Sequence, residues 1–215
     1  MGNFHVYLDN GHGGIVNGQY CTPGKRSPKF EDGSQLFEGV YNRAIVRLIN
    51  QKVSELNDPT ISVYNVAPGD IDAPLSNRVK FANDLWVKAG KPNAIYISIH
   101  GDANGDGAAW DQASGISVFT SKGQTKSDIF ASLLIDKMDD IISGVKWRKD
   151  NTDGDVDKEE NFYVLRETLM PSVLSENGFM TNKEECTKML TREWQEKIAQ
   201  AHFDAILAYR NTLKK

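Results

Sequence analysis

Four side chains spread along the chain are of the types that activate water for hydrolysis: His12 in "LDNGHGG", Glu38 in "LFEGVYNRAI", His100 in "SIHGDAN" and Glu176 in "MPSVLSENGFMTN". Two neutral imidazoles and one carboxylate suit a catalytic zinc ion, because three protein ligands leave a fourth position for water. Water bound there is acidified to a pKa of about 7, so it attacks as hydroxide near neutral pH. A second carboxylate must then take up and return protons. On this chemistry His12, Glu38 and His100 would be the ligands and Glu176 the proton carrier. Plainer readings stand beside it: a hydrogen-bonded loop histidine for His12, and for Glu38 an acid favoured by the positive end of a helix. Glu176 resists a plain reading, since a carboxylate closing a buried strand is costly without a partner. No HExxH pair ties two ligands to one helix, so only the fold can assemble the set.

The elements expected to do so alternate. "FHVYL" (4–8) reads as a buried strand ending at Asp9, and a glycine-rich loop with turn chemistry follows it. From Glu38, apolar residues recur at three- and four-residue intervals (Val40, Ala44, Ile45, Leu48, Ile49, Val53, Leu56), the mark of an amphipathic helix. "TISVYNV" (60–66) is a second strand, and Ser76 is placed to cap a helix that carries Arg78 and runs to Gly90. "NAIYISIH" (93–100) is a near-continuous apolar strand delivering His100 at its end. "GISVF" (115–119) is another strand, "TKSDIFASLLIDKMDDIIS" a helix, and "NFYVL" and "PSVLSE" two more strands, the last ending on Glu176; Asn182 to about Thr212 is helical. The pattern predicts one α/β domain over residues 1–215, with a mostly parallel twisted sheet and helices on both faces. Ligands of such sheets bind beyond the carboxyl ends of the strands, where His12, His100 and Glu176 all fall.

Composition narrows the function classes. The 215 residues carry a formal net charge of -4, which leaves no basic footprint for nucleic acid. No apolar run approaches the roughly 20 residues of a membrane helix, so no membrane insertion is expected. The N-terminus lacks the ordered regions of a signal peptide. Cys21 and Cys186 cannot form a disulfide framework and read as incidental thiols. "DANGDG" (102–107) begins like a calcium loop, but its twelfth position is Ala113, which rejects an EF-hand. The acidic run "DNTDGDVDKEE" (150–160) reads as a solvated loop, with an accessory calcium site or a substrate-facing lid as alternatives. His5 and His202 read as structural.

"LDNGHGG", "LFEGVYNRAI", "LSNRVKFAN", "SIHGDAN" and "MPSVLSENGFMTN" resemble, in order and approximate spacing, the motifs of zinc-dependent N-acetylmuramoyl-L-alanine amidases of the amidase 3 family. The resemblance runs from about Phe4 to Tyr209. It implies a sheet of about six strands, a zinc ion held by His12, Glu38 and His100, and Glu176 as the catalytic glutamate. The implied substrate is peptidoglycan, cut between the lactyl group of N-acetylmuramic acid and the first L-alanine. Arg78 matches an arginine of the family pattern and would bind a stem-peptide carboxylate or make a structural ion pair. Asn104 would hydrogen-bond substrate or shape the loop after His100, and Asp9 or Asn10 would orient a ligand histidine, or Asp9 would merely cap the turn. Two segments depart from the pattern: Asn10 stands where proline is usual, and "GDANGDGAAW" follows the second histidine, with Trp110 as a sugar or peptide platform or a part-buried loop aromatic. The chain is expected to act as a monomer on the bacterial wall, either as a phage endolysin or as the catalytic part of a longer secreted enzyme. The alternatives are a non-catalytic wall-binding or regulatory domain of the same fold and a different zinc hydrolase of the wall.

Overall fold

Strand β1 (Phe4–Asn10) is buried at every position, as a strand covered by helices on both faces must be. The computed structural model describes residues 3–144, 146–151 and 154–213; Met1 and Gly2 of the N-terminus and Thr152 and Asp153 of the acidic run lie outside them. Beyond β1 the chain forms a short hairpin, β2 (Ile15–Val16) and β3 (Gln19–Tyr20), whose turn residues Asn17 and Gly18 both have positive φ. An Asn-Gly pair is the usual signal for such a turn.

Helix α1 (Glu38–Leu56) leads to β4 (Ile61–Asn65), and α2 (Leu75–Lys88) leads to β5 (Asn93–Asp102). β6 (Ile116–Thr120), α3 (Lys126–Ile141), β7 (Lys158–Glu159), α4 (Tyr163–Glu167) and β8 (Ser172–Phe179) follow, and α5 (Lys183–Met189) and α6 (Arg192–Thr212) close the chain. The main sheet has six strands in the order β4-β1-β5-β8-β6-β7, parallel except for the antiparallel pair β6/β8. The expected α/β architecture with a mostly parallel sheet is therefore the observed one.

Alternation along the strands divides the core in two. Val6, Leu8, Ile95, Ile97, Ile99, Val118 and Val173 face α1, α3 and α6, whereas Tyr7, Tyr96, Phe119 and Leu174 face α2 and α4. His202 in α6 serves the first layer: its Nδ1 donates to the Ile198 carbonyl at 2.8 Å, and its Nε2 accepts from Ser175 Oγ at 2.9 Å. Burial holds that ring neutral by lowering it to about 4, which fits a structural histidine.

Several boundaries differ from the sequence expectation. "NFYVL" is not a strand; Tyr163–Glu167 form one short helix, with Val164 and Leu165 packed toward α2. A five-residue apolar run does not distinguish the two states, and neighbouring elements decide. α2 begins at Leu75 behind Pro74, whose carbonyl takes the N–H groups of Asn77 and Arg78, so Ser76 lies inside the helix and caps nothing. The C-terminal stretch is two helices, because Thr191 Oγ1 accepts from the Trp194 N–H and starts α6 afresh. β8 continues three residues beyond Glu176, and β5 two beyond His100, so neither residue ends its strand.

The acidic run is not a wholly solvated loop. Its end forms edge strand β7 beside β6, and Asp157 is only 1% exposed, with Oδ2 accepting from Thr120 Oγ1 at 2.6 Å and Oδ1 unpaired. Burial, then the charges of Asp155 and Asp128, push this carboxyl up from 3.8 to about 6. A raised carboxyl holds its proton better in the folded chain, so its contribution to stability is full at low pH and lost as pH rises through that window. Asp157→Asn is therefore expected to stabilise the protein near pH ~7.5, by no more than about 3 kcal/mol, and to match the parent near pH ~4. Thermal unfolding of both proteins at the two pH values checks this, and a less stable variant at the higher pH would contradict it.

Candidate metal centre

β1 lies between β4 and β5, so the crossovers through α1 and α2 arrive on opposite sides of it. A crevice opens at such a reversal, outside the carboxyl ends of β1 and β5. His12 stands just after β1, Glu38 at the start of α1 and His100 near the end of β5. One ligand-type atom from each falls within 4.8 Å of the others. His12 Nε2 lies 3.2 Å and His100 Nδ1 3.0 Å from the same oxygen, Glu38 Oε1, and the two rings meet edge to face at 88°. Glu38 is 1% exposed and its other oxygen, Oε2, is sealed from solvent with no partner. Burial by itself would raise this carboxyl; hydrogen bonds from His100 and then His12 outweigh it and hold the group well below the usual carboxylate range. Two imidazole nitrogens converging on one buried carboxylate make a donor set that suits a divalent transition metal such as zinc.

Glu176 stands on the next strand, opposite His100 in the β5/β8 register and opposite Ser117 of β6. Alternation puts it on the face of Leu174, away from Ser175, which bonds to α6. The register shifts just past this point, where Gly178 has φ +106°, and Asn177 Nδ2 donates to the His100 carbonyl at 3.0 Å. Glu176 is half-buried, and its Oε2 is sealed without a partner. Burial, followed by the charges of Glu38 and Asp102, raises its carboxyl well above the usual value, with Lys25 opposing.

The loop carrying His12 is clamped from outside. His12 itself, not a neighbouring glycine, takes the left-handed conformation, with φ +65°. That costs a non-glycine residue roughly 1–2 kcal/mol. Its carbonyl accepts from Arg43 Nη1 at 2.9 Å and from Arg78 Nη2 at 3.2 Å, charge-assisted bonds that offset the strain. Glycine is needed for room both beside His12 and at the start of α1. A Cβ on Gly11 would stand 2.1 Å from the His100 ring, and one on Gly39 would stand 1.8 Å from the Gly13 carbonyl oxygen. The start of α1 has no side-chain cap; the Glu38 and Gly39 N–H groups donate to the Lys25 carbonyl and to Tyr20 Oη. The loop beyond β1 thus caps the helix that presents Glu38.

The Amidase_3 family, described as N-acetylmuramoyl-L-alanine amidase, matches residues 6–208. The chain belongs to this family. An uncharacterized cell wall amidase of Bacillus anthracis is 32% identical over 95% of the chain, which spans 35% of that relative's length. The endolysin of Bacillus phage SPP1 is 27% identical over 98% of the chain and 67% of its own length. The fold is shared with an N-acetylmuramoyl-L-alanine amidase from Clostridium difficile 630, at a TM-score of 0.78 and 24% identity over 99% of both chains.

Within this amidase chain the other sequence candidates separate. Arg78 is corrected: it is 1% exposed and bonded to Asp9, Asp72 and the carbonyls of Asn10, His12 and Ala73, so no substrate carboxylate can reach it. The structural ion pair is the reading that holds. Asp9 is not a turn cap, since its two oxygens take Arg78 and Ser98 Oγ. Asn10 is buried and its Nδ2 has no partner. Asn104 is exposed on the loop after β5, its backbone N–H held by Thr181 Oγ1 at 3.0 Å. Trp110 packs on Phe30, with ring centroids 4.8 Å apart. Among the described residues no helix is long and apolar enough to cross a membrane. Arg43, Tyr20 and Ser98 were not singled out from the sequence; Ser98 had a usable signal, because it lies two residues before His100 on a strand and so shares its face. Gly11→Ala is expected to displace the His100 ring and lower zinc affinity at least tenfold, which chelator competition measures; unchanged affinity would show that the ring can move aside without loss.

Proposed function

We propose that this chain hydrolyses peptidoglycan at the amide between the lactyl group of N-acetylmuramic acid and the L-alanine heading the stem peptide, with zinc held by His12, Glu38 and His100. The observation that carries the reading is the buried Glu38 carboxylate shared by two imidazoles, with a second unpaired carboxylate, Glu176, opposite His100 on the next strand. When bound, zinc supplies Lewis acidity toward water and toward the lactyl carbonyl.

The remaining work falls to side chains of this protein. Glu176 accepts a proton from the attacking water and returns it to the alanine nitrogen. The water oxygen ends on the lactyl carbon, the carbon–nitrogen bond breaks, and the stem peptide leaves with a free amino terminus. The buried, charged surroundings that raise the Glu176 carboxyl bring it toward the range in which one group can both accept and donate. Asn104, exposed near the start of the loop leaving β5, offers its carboxamide to the substrate peptide. The site of action is the bacterial wall, and the similarity to a phage endolysin supports a lytic role there.

Incubation with purified sacculi and zinc should release new alanine amino termini without new reducing sugar ends; reducing ends alone would sink the proposal. Glu176→Gln should lose about 10²- to 10⁴-fold in turnover while binding zinc with unchanged stoichiometry. Loss of the metal in that variant would instead move Glu176 into the ligand set.

A further inference from the structure

Ser98 and His100 are two residues apart on β5, so both project from one face of the sheet, hydroxyl beneath ring. Ser98 is fully buried, and its Oγ lies 2.8 Å from Asp9 Oδ2 and 3.2 Å from His100 Nε2. A hydroxyl has one proton. Asp9 as carboxylate can only accept, so the Ser98 proton goes to Asp9, and toward His100 the serine oxygen is the acceptor. That makes Nε2 of His100 the donor toward Ser98 and leaves Nδ1, 3.0 Å from Glu38 Oε1, as the nitrogen whose proton a bound cation would replace.

Asp9 is itself held from behind. It is 1% exposed on β1 and takes its second partner from the buried guanidinium of Arg78, which also grips the carbonyls of Asn10 and His12. A single buried group therefore fixes the backbone at one histidine and, through Asp9 and Ser98, the ring at the other.

We propose that Ser98, aimed by Asp9 and Arg78, is the positioning residue that selects Nδ1 of His100 as its metal-binding nitrogen. The inference rests on the metal reading above and adds which atom binds and what decides it. It also gives Arg78 a role at the centre without contact to substrate. Removing the outer partner of a metal-bound histidine typically weakens metal binding by about 10- to 100-fold.

Two measurements on the full chain test it. In the zinc-loaded parent, nitrogen-15 spectra of the imidazoles should show His100 with a protonated Nε2 and a metal-shifted Nδ1; zinc on Nε2 overturns the proposal whatever any variant does. Chelator competition with Ser98→Ala should show zinc bound about 10- to 100-fold more weakly than in the parent, and affinity within about twofold of the parent would overturn it. If Ser98→Ala does not fold, the spectra of the parent decide alone. A parent that binds no zinc would refute the metal reading and this inference with it, whereas a parent that binds through Nε2 would refute this inference only.

Discussion

The arrangement turns on one carboxylate, Glu38, buried at the crevice between β1 and β5. A buried, unpaired charge costs several kcal/mol, and removing a partner from such a group is strongly destabilising. Glu38 tolerates its position because two imidazole nitrogens address one of its oxygens, Oε1, while Oε2 stays without a partner. Much of the surrounding architecture serves to bring those nitrogens there from two different strands. The strand reversal opens the crevice, the loop beyond β1 caps α1, and the missing side chain of Gly11 leaves room for the His100 ring against that loop.

Stiffness in this region comes from polar groups buried beneath the site. Arg43 and Arg78 converge on the His12 carbonyl from α1 and α2, and Arg78 continues to Asp9 and Ser98. Satisfied networks of this kind rigidify because each member would be costly to leave unpaired. They hold a strained left-handed histidine, which a loop of ordinary flexibility would let relax. Glu176 sits outside this network, half-buried and with an unpaired oxygen, which fits the proton-carrying role proposed for it.

Long periodic segments were legible from residue order. The β1 and β5 runs, the α1 repeat and the alternation of strands with helices led to a mostly parallel sheet, and the placement of His12, His100 and Glu176 toward strand ends led to one crevice. Short segments were not. "NFYVL" carries strand-forming residues yet winds into α4, because α2 offers an apolar surface to Val164 and Leu165. The acidic run looked solvated because its charge is visible in sequence and its pairing with β6 is not. For Arg78 the family pattern left a ligand contact and a structural ion pair both open, and only the fold brings Asp9, Asp72 and three carbonyls around it.

Residue order by itself determined the chemical types at the centre, their order along the chain and the kind of sheet that could gather them, since apolar periodicity and ligand chemistry are local properties. It also placed Ser98 and His100 on one face, a consequence of strand geometry alone. Tertiary structure decided which atoms face each other: that Glu38 Oε1 is shared, that His100 presents Nδ1, and that Arg78 grips the His12 loop from behind. Those relations join residues 26 to 89 positions apart, as with His12 to Glu38 and Asp9 to Ser98. Their register is set by how strands pair and helices cross, which no local pattern encodes.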